Sequence, residues 1–419
     1  MNNNVSGFSG YKLKVDVRHL IIYMLTTLMA LPLVGFSYGE VAMPIAWLVA
    51  LYGFVVALVK FRVEMLYLLG AILFSVVAVL SNSTFVTGEL SIHPFLSVFY
   101  FFFPVFGYFA GRYLVNNDFN FYLFLKAYTN IFLFFIFIFS LSVFIFFGGM
   151  VRTEGEINGW FFWLPIYGLY GVHSFVAFLF VSYYIIVHFY RTFSGVSLLR
   201  FRLFIFVFLW LTIFSLSREG VLGLVVVFMF MGKDILKRNP IVFVMGSISA
   251  LLLMSVLAYL GWSSLEGVWS TRIDGMASAI ERGDLDELSS GRLTLYFLAV
   301  EQFLKNPLFG NGFYGFQLYN QSFGEYTDLT GWSPHNYLLT SIWKMGVLPL
   351  IFFAGFWICI IKSVFKRVSN DERRLVFRML IVLGLLNMFW DAFLVPNVMI
   401  LFSFFLGALN RKRDMEHGV

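Results

Sequence analysis

The sequence predicts an all-α, polytopic membrane protein on three observations: a shortage of charge, apolar runs of membrane-crossing length, and basic residues gathered in alternate connections. Of 419 residues only 12% are charged and 60% are hydrophobic, and the mean hydropathy is +0.84. A soluble domain carries about 25% charged residues, because its surface faces water. A chain this poor in charge has lipid in place of part of that water.

A spanning helix needs about 20 mostly apolar residues, and on that ruler the chain offers about twelve candidates. The first five run roughly 20–36, 41–59, 64–80, 94–111 and 119–147. The next four run 166–189, 203–217, 219–232 and 241–260, and the last three 335–361, 377–392 and 395–410. The seventh and eighth are short, and the last two share one apolar stretch broken at Asp391 and Pro396. Lys12, Lys14 and Arg18 ahead of the first run resemble a signal peptide's charged start. That run is long, however, and 37–42 lacks a small-x-small cleavage site, so it reads as an uncleaved first helix.

Orientation follows from where Lys and Arg fall. With the N-terminus cytoplasmic, the inner segments collect Lys60/Arg62, Arg112, Arg191/Arg200/Arg202, Lys233/Lys237/Arg238, Lys362/Lys366/Arg367 and Arg411/Lys412/Arg413. The short outer segments are nearly free of them, so both termini read as cytoplasmic. The net charge of +6 is thus a topology signal, and no basic groove with interleaved aromatics points to nucleic acid. Cys359, the single cysteine, excludes a disulfide within the chain.

One outer segment breaks the pattern of short connections, and it divides the chain into three parts. These are N-terminal helices (1–260), a large periplasmic loop (261–334), and C-terminal helices with a cytoplasmic tail (335–419). A loop of that length is functional or disordered, and its many aromatics favour order. Within it Gly291–Leu304 reads as an amphipathic helix with Leu293, Phe297, Val300 and Leu304 on the face that needs a partner. Asn306-Pro307 ends that helix, and Gly310, Gly312 and Gly315 mark a turn-rich stretch.

This topology puts three groups of unusual residues on one face of the membrane. Arg218 and Glu219 lie in the tight connection between the seventh and eighth spans, Arg292 starts the loop helix, and His335 begins the tenth span. Charges at the edge of the hydrocarbon layer are costly and usually functional. Arginine offers a planar fork of donors suited to phosphate, and two of them at one cavity suit a diphosphate. Histidine can take a proton from a hydroxyl near neutral pH.

Each has a plainer reading. Arg218 can anchor a helix end at the headgroups, with Glu219 as its salt-bridge partner. Arg292 can be a solvated helix charge, and His335 can serve helix capping in Ser333-Pro334-His335-Asn336. Arg272 reads as solvated or paired with neighbouring acids, and Asp391 as outer and structural. His93, His173 and His188 share no ligand spacing, and no zinc pattern, phosphate-binding glycine loop or nucleophile elbow is present, so no metal or cofactor is expected.

Three segments carry a resemblance to a known family. They are Ser217-Arg218-Glu219-Gly220; Ser290-Gly291-Arg292-Leu293 with Phe303-Leu304-Lys305-Asn306-Pro307-Leu308-Phe309-Gly310-Asn311-Gly312; and His335-Asn336-Tyr337-Leu338-Leu339 with Lys344-Met345-Gly346. In that order and spacing they resemble the O-antigen ligase and polymerase superfamily of bacterial envelope glycan assembly. The resemblance spans the second half of the chain. It departs at Pro349 and at Glu219, where relatives tend to carry small residues.

The resemblance implies an inverting, metal-independent membrane glycosyltransferase of the GT-C type, with a periplasmic site and an undecaprenyl-diphosphate-linked donor. Arg218 and Arg292 would hold the diphosphate, and His335 would act on the acceptor hydroxyl. Glu219, Arg272, Asn336 and Tyr337 join them as candidate substrate contacts. The expected partners are that donor, a glycan acceptor, the bilayer, a chain-length regulator and other envelope-assembly proteins. Polymerase is the leading expectation and ligase the alternative. A lipid-linked glycan transporter ranks behind, because it should carry polar residues near the midplane in paired repeats.

Overall fold

The structure is a computed structural model. It describes residues 17–31, 35–38, 41–86, 93–147, 172–193, 198–215, 218–238, 278, 280–283, 292–313, 334–389 and 391–411. These residues are helical apart from one small hairpin, which agrees with the expected α class.

Helix α1 (Val17–Ala30) stops where Leu31 precedes Pro32, since a residue before proline is pushed out of the helical region. Strands β1 (Gly35–Tyr38) and β2 (Val41–Pro44) follow, antiparallel with Gly35 opposite Pro44 and Tyr38 opposite Val41. The hairpin corrects two expectations: the first span ends at Ala30 rather than 36, and the second starts at Trp47 rather than 41. Apolar composition alone does not separate a strand from a helix at this length, and β-branched Val41 with Phe36 and Tyr38 suits a strand.

Then come α2 (Trp47–Val59), α3 (Val63–Val86) and α4 (His93–Phe102). A 3-10 turn at Phe103–Phe106 contains Pro104, which cannot donate to an α-helical ladder, and leads into α5 (Gly107–Leu114). Helices α6 (Asp118–Phe147), α7 (Val172–Thr192), α8 (Leu198–Phe214) and α9 (Arg218–Arg238) complete the N-terminal set. The loop helix is α10 (Arg292–Lys305), within a residue of the expected limits. After it run α11 (Tyr337–Met345), α12 (Val347–Arg367), α13 (Asn370–Phe389) and α14 (Pro396–Leu409), with a 3-10 turn at Ala392–Leu394.

Five segments among the described residues are long and apolar enough to cross a membrane: Val63–Ser81, Pro94–Leu114, Asp118–Leu141, Phe175–Thr192 and Val347–Arg367. Four shorter apolar helices accompany them, Val17–Ala30, Trp47–Val59, Glu219–Met231 and Pro396–Leu409. The expected count of about twelve is not reproduced among the described residues, and the span read at 241–260 lies outside them. The span read as one helix over 335–361 is two helices parted at Gly346.

Small residues bring the bundle together. Gly107 and Gly111 on α5 face Ser403 and Gly407 on α14, each pair spaced by four, the small-xxx-small pattern that lets helix backbones touch. A Cβ at Gly111 would collide with the Phe404 carbonyl, and one at Gly407 with the Tyr108 carbonyl. Ser403 Oγ sits 3.2 Å from the Pro104 carbonyl oxygen and donates to it. Aromatic side chains such as Phe121, Phe124, Phe132, Phe180 and Phe208 fill the space between the other helices.

One end of this bundle carries a buried ionic cluster. Arg411, just past α14, donates from Nε to Asp118 and from Nη2 to Glu372 at 3.1 Å, and its guanidinium lies 3.7 Å over the Phe121 ring. His188 Nε2 lies 3.6 Å from the same Glu372 carboxylate. Thus His188, which has no metal-ligand spacing in the sequence, has a structural neighbour. Helix α13 runs from Glu372 at this end to Phe389 at the other, about 25 Å away at 1.5 Å rise per residue.

Candidate functional site

The far end of α13 gathers Arg292, Asn336 and, through Arg292, Glu219. A helix leaves its last carbonyls without intrahelical partners and with partial negative charge, so donors and cations are favoured there. Arg292 Nη1 donates to the Phe389 carbonyl at 2.9 Å, and Asn336 Nδ2 donates to the Met388 carbonyl at 3.1 Å. Two segments 44 positions apart in sequence thereby share one helix terminus.

Glu219 joins them from a third segment. It lies in the first turn of α9, where a carboxylate complements the helix dipole, and is 3% exposed. Its Oε1 accepts from Arg292 Nη2 at 3.0 Å. The sequence pairs Glu219 with its neighbour Arg218; the structure gives Glu219 a long-range partner in Arg292. Arg218 opens α9, but its side chain lies outside the described residues, and so does Arg272. The Arg292 side chain is 22% exposed. Its two contacts use Nη1 and Nη2, whereas a guanidinium carries five N–H donors.

His335 does not begin a helix, as the sequence reading expected; the N-cap of α11 is Asn336. Its Oδ1 accepts from Leu339 N at 3.0 Å while its Nδ2 reaches Met388, so one amide caps two helix ends at once. His335 precedes the cap with φ +51, a left-handed backbone that costs a non-glycine residue of order 1–3 kcal/mol. Tyr337 puts its ring 5.7 Å from Phe101, stacked, and 5.5 Å from Phe393, edge-on, so most of that side chain is engaged in packing.

A loop wall supports this cluster. On α10 the buried residues are Leu295, Leu298, Ala299 and Gln302, packed against Trp343 of α11. Trp343 Nε1 donates to Gln302 Oε1 at 2.8 Å within this buried contact. The expected packing face is thus corrected: Phe297, Val300 and Leu304 point outward, at 72%, 42% and 67% exposure. The buried side is apolar as well, with Leu295, Leu298 and Ala299 against Trp343, so the helix carries two apolar stripes and periodicity picks the outer one.

The turn after α10 explains why the span read as one breaks at Gly346. Asn311 N and Gly312 N donate to the carbonyls of Trp343 and Lys344, at 2.7 and 3.0 Å. Val347 N and Leu348 N donate to the carbonyls of Pro307 and Leu308, at 2.9 and 3.1 Å. One turn therefore satisfies the open C-terminus of α11 and the open N-terminus of α12, groups that would otherwise cost several kcal/mol each in a lipid setting. Gly310 (φ +61) and Gly346 (φ +68) are where the two backbones meet. Phe313 closes the turn with its ring buried against Phe101 and Phe102.

Two contributors, Thr340 and a pair of backbone carbonyls, escaped the sequence reading, and a third, Asp391, was legible only in part. Asp391, read as outer and structural, is buried and accepts from Thr340 Oγ1 at 2.9 Å, which ties the α13–α14 connection to α11. Thr340 gave no signal in a short apolar helix. The backbone carbonyls of Met388 and Phe389 have no side-chain signature at all. Lone polar residues inside apolar runs, Asp391 and Gln302, were the usable clues.

Residues 203–354 match the model of a family described as O-antigen ligase. No curated protein matches the chain. The matched stretch contains Glu219, Arg292, Asn336, Gly310 and Gly346, and stops short of Phe389 and Asp391.

Proposed function

We propose that the chain, whose residues 203–354 match the O-antigen ligase family model, acts as a member of the O-antigen ligase and polymerase superfamily and polymerises lipid-linked glycans. The donor would be an undecaprenyl-diphosphate-linked oligosaccharide repeat unit, at the periplasmic face of the inner membrane. The observation that carries this reading is the convergence of Arg292, Glu219 and Asn336 on the end of α13, with Arg218 and His335 as their chain neighbours.

In this reading the acceptor hydroxyl attacks the anomeric carbon of the donor as the bond to the diphosphate oxygen breaks, which inverts that carbon. Undecaprenyl diphosphate leaves with the electron pair, and its charge is taken up by the guanidiniums of Arg218 and Arg292. The hydroxyl proton passes to the His335 imidazole. Glu219 holds the Arg292 fork in plane until phosphate oxygens take up its remaining donors. Arg272, Asn336 and Tyr337 would border the glycan. The loop 261–334 would cover the diphosphate, and the outward stripe Phe297, Val300 and Leu304 would meet lipid or the polyprenyl tail.

The description of the matched family favours a second reading, a ligase that moves a finished glycan onto lipid A core or protein. Reconstituted protein supplied only with the lipid-linked repeat unit separates the two. Stepwise elongation that persists in EDTA and falls at least a hundredfold in Arg292→Ala supports the polymerase. Transfer that begins only when lipid A core is added supports the ligase. Lipid translocation without either transfer would overturn both.

A further inference from the structure

At the Arg411 end of the bundle, some 25 Å along α13 from the site above, lies a cavity of about 310 Å3 with five cationic residues in its wall. They come from five places in the chain: Arg18 on α1, Lys60 at the end of α2, Arg62 in the next connection, Arg112 on α5, and Arg411 after α14. None of the nine lining residues is acidic. We propose that this pocket binds a phosphate-bearing anion, with the headgroup of an acidic phospholipid or a free phosphate as its source.

The fold, and not local sequence, makes this concentration of charge. Like charges at one cavity repel, and in partly desolvated surroundings the repulsion is several-fold stronger than in water. Two of the cations are compensated from behind the wall. Arg112 Nη1 reaches Glu64 at 2.8 Å and the Tyr108 hydroxyl at 2.9 Å, and Arg411 is held by Asp118 and Glu372. These contacts fix the two guanidiniums, and both residues line the cavity. Lys60 Nζ stands 4.4 Å, and the Arg18 guanidinium 5.7 Å, from the centre of the same Tyr113 ring, an attraction that holds both cations at one aromatic side chain. Glu64 pairs with Arg112, and Asp118 and Glu372 pair with Arg411, all three from outside the nine lining residues; a bound anion adds negative charge within the wall itself.

Size and lining narrow the ligand. Small-molecule sites run from about 300 to 1,000 Å3, so this cavity suits a headgroup and not a larger conjugate. Val56, Phe109 and Tyr113 supply apolar surface beside the cations, as a phosphoglycerol with its first acyl carbons requires. Basic pockets between spanning helices are a recurrent means of holding acidic headgroups. The plainer account is that these side chains merely snorkel into any headgroup layer. That account predicts no preference among pocket and non-pocket cations.

The test uses the full chain in detergent and reads lipid retention by native mass spectrometry together with the unfolding midpoint. Phosphatidylglycerol should be retained and should raise the midpoint by several degrees, and phosphatidylcholine should do neither. The double variant Lys60→Gln/Arg62→Gln should bind phosphatidylglycerol at least tenfold more weakly, while Arg200→Gln/Arg202→Gln on α8 binds like the wild type. If inorganic phosphate or glycerol phosphate alone gives the same shift, lost in the pocket variant, the pocket stands and its ligand is soluble. Equal losses in both double variants, or equal retention of the two lipids, overturns the proposal. A headgroup-photoreactive phosphatidylglycerol on the wild-type chain gives a reading free of variants: labelling confined to peptides outside 56–62 and 108–116 also overturns it. None of these readouts involves glycan transfer, so they stand or fall apart from the glycosyltransferase reading.

Discussion

Gly310 and Gly346, 36 positions apart, stand backbone against backbone, and a Cβ on either one would collide with the amide nitrogen of the other. Both have left-handed φ, so a side chain there adds strain to the collision. This contact joins the turn after α10 to the break between α11 and α12, and through α11 it sets the position of His335 and Asn336. Gly346→Ala should therefore lower stability by about 1–3 kcal/mol from backbone strain, with overpacking of similar size added. Thermal unfolding in detergent checks this. An unchanged midpoint would show that the turn and the helix break are not rigidly joined.

Arg292 and Glu219 make opposite demands that a pair of variants separates. Glu219 is almost fully buried, so removing the Arg292 guanidinium takes a charged partner from a buried carboxylate, at a cost of up to about 3–5 kcal/mol. Arg292→Ala should thus lose both stability and transfer. Arg292→Lys keeps the charge near Glu219 but lacks the planar fork that spans Glu219 and the Phe389 carbonyl and that the proposed function extends to a phosphate. It should unfold within a few degrees of the wild type while transfer falls at least tenfold. Full transfer by Arg292→Lys would show that the site needs only a point charge.

His335 offers a test in which stability and activity move in opposite directions. Its left-handed backbone is a strain that glycine relieves, so His335→Gly should match or exceed the wild type in unfolding midpoint. His335→Ala retains the strain and should not gain. Both lack the imidazole, so both should lose transfer by about a hundredfold, within the usual contribution of a general base. Activity preserved in His335→Gly would reduce this residue to a backbone role.

Much of this site was legible before any coordinates, and the limits are instructive. Arg292 opening its helix, and the stop at Asn306-Pro307, follow from local chemistry that the chain carries openly. Charges in apolar surroundings pointed to Arg218, Glu219, Arg292 and His335 because burial penalises them wherever they occur. What escaped are pairings between distant residues in which at least one partner is uncharged: Thr340 with Asp391, Trp343 with Gln302, and a guanidinium on a backbone carbonyl. The break at Gly346 escaped for a related reason. Its cause is hydrogen bonding supplied by residues 307–312, which no window around position 346 contains. The outward face of α10 was misread because periodicity locates the apolar stripe without saying whether protein or lipid covers it.

The buried cluster at the other end supplies a control for activity arguments. Glu372 accepts from Arg411, neighbours His188, and accepts from Ser369 N at 2.8 Å, where it also closes a capping box at the start of α13. Glu372→Gln keeps the shape but removes the charge that balances Arg411, whose other carboxylate, Asp118, is nearly half-exposed and screened by solvent. Breaking a buried pair in this way costs about 3–5 kcal/mol, so the unfolding midpoint should drop well below that of the wild type. The change lies about 25 Å along α13 from Phe389, and no partner of Arg292 or Asn336 moves with it. Protein that remains folded at the assay temperature should therefore transfer glycan at the wild-type rate per folded molecule. A proportionate loss of transfer in the folded fraction would show instead that α13 couples its two ends, with the Arg292–Phe389 contact as the element that responds.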